Sequence, residues 1–250
     1  MYSLSVLTIL PDNLLHVKSW IDHYLSEGVF HFYFVAKRSI QHQLEALDYY
    51  EKFITTVLVD DHDIENDNVL HNAFIEIIKQ ETEWVILAGA NDYIYARDKY
   101  LKIMDVLSML KRHQEKVCVP RKTYGSKNIE SVDETKELPH SFPHRSFDYS
   151  MHSTERRIIC KTIHLVKIIS NGDDVRFYNN DGYYYSNSKL VTPVPLTQEE
   201  NDSMWIHMNT YPLTASGEID QTKEDDVFNA VEDTELAIKP KLYDAKIYKM

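Results

Sequence analysis

Apolar residues recur along this chain in two alternating rhythms. Leu4 to Leu10 is a nearly unbroken apolar run stopped by Pro11-Asp12-Asn13, and it reads as a strand. Leu14, Val17, Trp20, Ile21, Tyr24 and Leu25 then recur at helical spacing, with Gly28 placed to end the helix. Val29 to Val35, rich in aromatic and β-branched residues, is a second strand. Ser39 to Phe53 predicts a second helix, and Ile54 to Val59 a third strand that runs out into Asp60-Asp61-His62-Asp63. A third helix from about Asp67 carries Leu70, Ala73, Phe74, Ile77 and Ile78 on one face. Trp84 to Ala88 is the fourth strand, an apolar run of the kind that suits a strand covered on both faces. Strands alternating with helices in this way predict a parallel sheet built with right-handed crossovers, an α/β fold.

Open α/β sheets bind ligands beyond the carboxyl ends of their strands. The Trp84 strand breaks at Gly89 and delivers Asn91-Asp92 to that end, which makes Trp84 to Tyr95 the first place to look for chemistry. Asp60 to Asp63 closes the third strand at the same edge, as a ligand cluster or as a solvated acidic loop.

Beyond Tyr95 the pattern loosens. Lys99 to Lys111 fits a helix through Leu101, Met104, Leu107 and Leu110; Val117 to Pro120 is a short strand, and Tyr124-Gly125-Ser126 a turn. Asn128 to His144 is polar and aperiodic and reads as a mobile surface loop. Ile158 to Val166 predicts another strand, and Asn171 to Asn187, with its Asn-Gly and Asp-Gly pairs, a hairpin. Gln198 to Asp233 is densely acidic around an apolar Met204 to His207.

Composition narrows the function. With 250 residues, 43% of them hydrophobic, the chain can bury the core of one large domain. A formal charge of -12 argues against a nucleic-acid partner, which needs a basic face. The two cysteines, Cys118 and Cys160, make no metal-ligand pattern and suit buried thiols in a reducing compartment. No apolar run approaches the ~18 residues of a membrane span, and the expectation is a soluble cytoplasmic protein.

One block carries a resemblance. Lys18-Ser19-Trp20-Ile21-Asp22-His23-Tyr24-Leu25-Ser26-Glu27-Gly28-Val29-Phe30-His31-Phe32-Tyr33 is similar to the Leu-x-Glu-Trp-Ile-x-Tyr-His-x-x-x-Gly-Val-x-His-Phe-Tyr signature of the DUF23/family 92-like glycosyltransferases. Weaker matches follow in the same order: His71-Asn72-Ala73, Trp84, Gly89-Ala90-Asn91-Asp92-Tyr93, Tyr124-Gly125-Ser126, Arg145, Cys160-Lys161-Thr162-Ile163, and Trp205-Ile206-His207 with Tyr211. The resemblance implies a GT-A-like (nucleotide-diphospho-sugar transferase) fold with a mostly parallel sheet flanked by helices. It implies one such domain over residues 1–250, with a nucleotide-binding half to 95, an acceptor half to 215 and a C-terminal extension.

The same resemblance implies an enzyme that moves a sugar from a nucleotide-diphosphate donor, a UDP-sugar for example, to a glycan or other hydroxyl acceptor. It suggests nucleotide contacts from Thr8, Asp12, Asp60, Asn91 and Lys161, and an acceptor-side base at Asp148, with Asp133 and Glu134 as rivals, or Asp92 in a catalytic role. The family's Asp-x-Asp holds a divalent cation, Mn or Mg, on the donor diphosphate. Here Gly89 and Asn91 replace its two acids, so a metal would rest on Asn91, Asp92 and His207. Lys37-Arg38 likewise stand where the family has acids, as a phosphate contact or a surface turn. Each residue has a plainer alternative: an Asx turn for Asn91-Asp92, a core histidine for His207, and structural roles for His23 and His31. The altered motif also leaves room for a GT-A-fold protein that has lost catalysis and acts as a binding module.

Overall fold

A computed structural model describes residues 1–61, 72, 74–97, 102–110, 116–129, 132, 138–146, 156–165, 167–171, 174–178, 184–186, 205–214, 218–223, 228–233 and 235–238. The first half follows the alternation of the sequence. Strand β1 (Tyr2–Ile9), helix α1 (Val17–Ser26), β2 (His31–Lys37), β3 (Ile54–Val59), helix α2 (Ile75–Glu81) and β4 (Thr82–Leu87) build the parallel pairs β1–β2, β2–β3 and β1–β4. Further along come β5 (Asp92–Ala96), α3 (Ile103–Ser108), β6 (Lys116–Thr123), β8 (Arg156–Lys161) and β12 (Ile206–Thr210). Together they make an eight-stranded sheet in the order β3-β2-β1-β4-β8-β6-β12-β5, with β8 and β5 antiparallel to their neighbours. The protein is therefore an α/β fold with a large, mostly parallel mixed sheet flanked by helices.

Both faces of the central strands are covered, which explains their unbroken apolar runs. Leu4, Val6, Phe32, Phe34, Trp84 and Ile86 point to one side and pack with Trp20, Ile21 and Tyr24 of α1. Leu7, Tyr33, Val35, Val85 and Leu87 point to the other and meet Phe74, Ile75 and Ile78. Gly28, with φ +89, ends α1 in the left-handed conformation that glycine adopts at little cost.

The residues of the family-like block have a definite task. Trp20, His23, Tyr24 and Glu27 form one helical stripe on α1, and each bonds to the backbone of β5, the last strand of the sheet. Trp20 Nε1 donates to the Asp92 carbonyl at 2.9 Å, Tyr24 Oη to the same oxygen at 3.0 Å, and His23 Nε2 to Ile94 at 2.7 Å. Glu27 Oε2 accepts from Ala96 N–H and Ile103 N–H, both at 3.1 Å, so it also caps the start of α3. The outer edge of β5 is thus satisfied by side chains, which blunts an otherwise open sheet edge.

Several expectations change. Arg38–Phe53 is a 3-10 run rather than an α-helix, and Leu44, Leu47, Tyr50 and Phe53 turn inward at the three-residue period of that geometry. The third helix buries Ile75 and Ile78, whereas Ile77 is 41% exposed. Asp92–Ala96, unassigned from sequence, is a strand because β12 supplies its ladder partner. The part of Asn128 to His144 that was read as a surface loop includes a short helix α4 (Leu138–Ser141), with Leu138 and Phe142 fully buried against the core. Its next residues form β7 (His144–Arg145), paired with β13 (Val231–Glu232). The expected hairpin is a three-stranded meander of β9 (Lys167–Asn171), β10 (Asp174–Tyr178) and β11 (Tyr184–Ser186). A last short helix, α5 (Glu235–Ile238), follows β13. No helix among the described residues is long and apolar enough to cross a membrane.

Candidate functional site

The strand order reverses at β1, with β2 and β3 on one side and β4 on the other, and such a reversal opens a crevice at the carboxyl ends. A cavity of about 300 Å³ lies there, lined by Leu10, Asp12, Asn13, His16, Lys37 and Asn91 among others. Its walls come from separate elements. Leu10 N–H bonds the Val35 carbonyl at 2.8 Å and carries β1 into the Pro11 turn. Asn13 Oδ1 accepts from Leu15 N–H at 2.9 Å, an Asx turn ahead of α1. Lys37, at the end of β2, meets Asp12 Oδ1 at 2.6 Å across the mouth, and Gln43 Nε2 donates to the Asp12 carbonyl at 3.0 Å. The loop after β12 closes the far side with Leu213 and Thr214. Apolar walls with a few convergent polar groups are the usual make-up of a small-molecule pocket.

Asn91 and Asp92 sit beside this cavity but in different states. Asn91 faces it, and its Nδ2 donates to the Tyr211 carbonyl at 3.1 Å and lies 3.5 Å from that of Leu213. A carboxylate could not donate to those carbonyls, which is a structural reason for Asn where the resemblance expects Asp. Asp92 is fully buried. Its Oδ2 accepts from Gly89 N–H and Arg157 Nε, both at 3.0 Å, and its Oδ1 from Thr210 Oγ1 at 2.6 Å. Arg121 Nε donates to Thr210 Oγ1 at 3.1 Å and extends the chain. Burial alone would raise the Asp92 pKa; Arg157 first, then Arg121, Thr210 and the Gly89 amide, hold it below the usual carboxylate range. Both oxygens of this carboxylate are committed to donors, and two guanidiniums already balance its charge. The set is poorly suited to a divalent cation, and no group of three or more His, Cys, Asp or Glu side chains converges among the described residues.

The other candidates scatter. Thr8 is buried on β1 with its hydroxyl 3.3 Å from the Ile9 carbonyl, outside the cavity wall. Asp60 is exposed at the end of β3 and pairs with Arg38 at 2.9 Å. Lys161 lies level with Trp84 in the β4–β8 register, with its ammonium 5.3 Å from that ring, toward the opposite end of β4 from Asn91. His207 pairs with Tyr95 on β5, three positions from Thr210, the partner of Asp92; three strand residues span about 10 Å. Its Nε2 lies 3.2 Å from Arg97 Nη1, so His207 belongs to a different neighbourhood from Asn91 and Asp92. Asp148 lies outside the described residues, as do Asp133, Glu134, His62, Asp63, His71 and Ala73.

His16, Arg157 and Thr210 were not singled out from sequence. Arg157 follows Arg156 directly in the sequence, and its carboxylate partner is 65 positions away. A second ionic cluster was also hidden. Lys122, with a side chain 4% exposed, contacts Asp233 Oδ2 and Glu235 Oε2, each at 2.9 Å. Arg145 reaches Asp233, and Arg97 reaches Glu235, each at 2.5 Å. This cluster fastens the segment from β13 to α5 onto the sheet.

No protein-family model matches the chain, and no curated protein does. Similar solved structures include a Bacillus anthracis protein assigned as a glucose-1-phosphate thymidylyltransferase, in complex with sucrose. It is 5% identical, with 65% of this chain and 72% of that one covered and a TM-score of 0.35. UDP-glucose pyrophosphorylase in complex with UDP-glucose is 9% identical over 100% of this chain and 89% of that one, with a TM-score of 0.30. The apo form of UDP-glucose pyrophosphorylase gives 9%, 92%, 89% and 0.30. All three are sugar-nucleotide enzymes by description, at a likeness too low to carry a functional argument.

Proposed function

We propose that the chain is a glycosyltransferase that binds a nucleotide-diphosphate sugar in the crevice between β1 and β4 and passes the sugar to a hydroxyl acceptor. The observation that carries this is the cavity itself, at the point where strand order reverses and opposite Asn91. The family-like block from Lys18 to Tyr33 gives the reading its reaction class. In this reading the apolar wall of Leu10 and Val17 packs the base, Asp12 and Asn13 bond its edge or the ribose, and Lys37 lies beside the diphosphate. The bond from the sugar's anomeric carbon to the diphosphate breaks, the acceptor oxygen takes its place, and the acceptor proton leaves to a base or to water. Lys37, on the cavity wall, is the positive charge this reading sets against the diphosphate, in exchange for its contact with Asp12, and the reading requires no metal.

A second reading is favoured by one observation: Asp92 has both oxygens occupied and is fully buried. A chain whose carboxylate at the β4–β5 corner is locked in this way would bind the nucleotide sugar without turning it over.

Isothermal titration of the full chain with UDP, GDP and their glucose conjugates, with and without manganese, tests binding. Micromolar affinity that is unchanged by manganese and lost in Lys37→Ala is expected; no binding of any nucleotide would sink both readings. Release of free UDP from UDP-glucose in the presence of acceptor then separates the enzyme from the binding module.

A further inference from the structure

A second cavity, about 540 Å³, opens on the same edge of the sheet beyond β6. Three separate stretches build it. Gly125 N–H bonds the His144 carbonyl at 3.1 Å, which holds the 140–144 stretch beside the turn after β6. That turn is closed by Ile129 N–H on the Ser126 carbonyl at 3.0 Å, with Asn128 at φ 64, a left-handed conformation that Asn tolerates better than most residues. Asn229 comes from far along the chain: its Oδ1 accepts from Lys127 N–H at 3.3 Å, and its Nδ2 donates to the Lys223 carbonyl at 3.2 Å. A Cβ on Gly125 would lie 2.4 Å from Asn229 Oδ1, so glycine is what lets this wall close.

The chemistry of the lining is one-sided. Among the described residues its ionisable side chains are Lys127, His140 and His144, and no described Asp or Glu lines it, in a chain with 39 acids against 27 Lys and Arg. Asn128, Asn229 and Ser141 add amide and hydroxyl groups, and Ser141 Oγ is buried without a hydrogen-bond partner among the described residues. Two described acids of the adjoining β13 stretch are placed elsewhere: Glu232 lies across from His144 but outside the lining, and Asp233 is held by Lys122 and Arg145. A basic wall with neutral donors suits a ligand that carries both hydroxyls and a negative charge.

Position links this cavity to the first. Tyr211 stands between them. Its carbonyl holds Asn91 at the first cavity, and its ring packs 5.7 Å from that of Phe142, whose neighbours Ser141 and Pro143 line the second. We propose that the second cavity is the acceptor subsite and that the acceptor is a sugar bearing an anionic group, a phosphate or a carboxylate. The acceptor role rests on the glycosyl-transfer reading above.

The test uses the full chain and three probes: glucose 6-phosphate, glucuronate, and glucose as the neutral control, each titrated beside UDP. At least one anionic sugar is expected to bind about tenfold or more tightly than glucose, and which one does identifies the charged group. Lys127→Ala, His140→Ala and His144→Ala replace exposed side chains; combined, they are expected to weaken that binding about tenfold or more while UDP binding holds. Equal binding of glucose, or an anionic affinity indifferent to the three substitutions, overturns the subsite. UDP binding with neither anionic sugar bound also overturns the subsite and leaves the transfer reading standing. Failure of UDP and GDP alike to bind removes the transfer reading, and with it the acceptor role.

Discussion

Arg157 Nε donates to Asp92 Oδ2 at 3.0 Å, with the carboxylate fully buried and the arginine side chain 15% exposed. The pair joins the start of β8 to the corner where β4 passes into β5, so one ionic contact fixes the floor beside the crevice. Removing one member of a buried pair leaves the other charged and unsolvated. Arg157→Met is therefore expected to cost about 3–5 kcal/mol, read as a lower urea midpoint. The double variant Asp92→Asn/Arg157→Met should recover part of that loss. Equal midpoints for Arg157→Met and the unmodified chain would show that the pair is not what holds this corner.

Asn91→Asp replaces a donor with an acceptor opposite the carbonyls of Tyr211 and Leu213. A loss of about 1–3 kcal/mol is expected, with Asn91→Ala no worse. Denaturant unfolding of the three proteins checks it, and a stabilised Asn91→Asp would contradict the assignment of this amide as a structural donor.

The segment from β13 to α5 should come loose in acid. Burial would raise the Glu235 pKa, but Lys122 and Arg97 lower it from 4.5 to about 2, and Lys122 with Arg145 lowers that of Asp233. Carboxylates with depressed folded values bind fewer protons folded than unfolded. Their stabilisation is complete above the ordinary value of 4.5 and is lost as pH falls toward about 2. Amide exchange in residues 228–238 should accelerate across that window before the central sheet exchanges, and Lys122→Ala should move the onset to higher pH.

His31 acts in the opposite part of the range. Burial lowers its pKa, Glu81 raises it less, and its Nε2 lies 2.8 Å from Thr55 Oγ1 while the ring stacks on Tyr2 at 4.3 Å. The folded protein therefore prefers the neutral ring, and stability should fall as pH drops through the ordinary value of 6.5. His31→Phe keeps the stack and should flatten that dependence. Urea midpoints between about pH 5 and 8 decide it, and parallel slopes for the two proteins would remove His31 as the cause.

What the sequence shows of this fold is the part fixed by near neighbours. The apolar runs at Leu4, Val29, Ile54 and Trp84, and the stripe from Val17 to Leu25, are strands and a helix because each buries its own face. Asp92–Ala96 was not legible, since it continues an apolar stretch and becomes a strand only through β12, whose Thr210 is 118 positions from Asp92. The site divides in the same way. Asp12, Asn13 and Asn91 follow from strand ends and do line the cavity, and Lys37, noted from its basic neighbourhood, joins them. Asp92 looked like a ligand because its neighbours in sequence are polar, whereas its chemistry is set by Arg157 and Thr210. Lys161 and His207 carried a match in order along the chain, but a strand's direction and register decide which end of the sheet a residue reaches.

The stripe of Trp20, His23, Tyr24 and Glu27 has a consequence for synthesis. All of α1 has been made before β5, whereas β12 follows more than a hundred residues later. A nascent chain that ends after β5 can already seat that strand's backbone on α1, with the bonds to Asp92, Ile94 and Ala96 in place. The first helix serves as a holding template for a strand whose ladder partner has not yet left the ribosome.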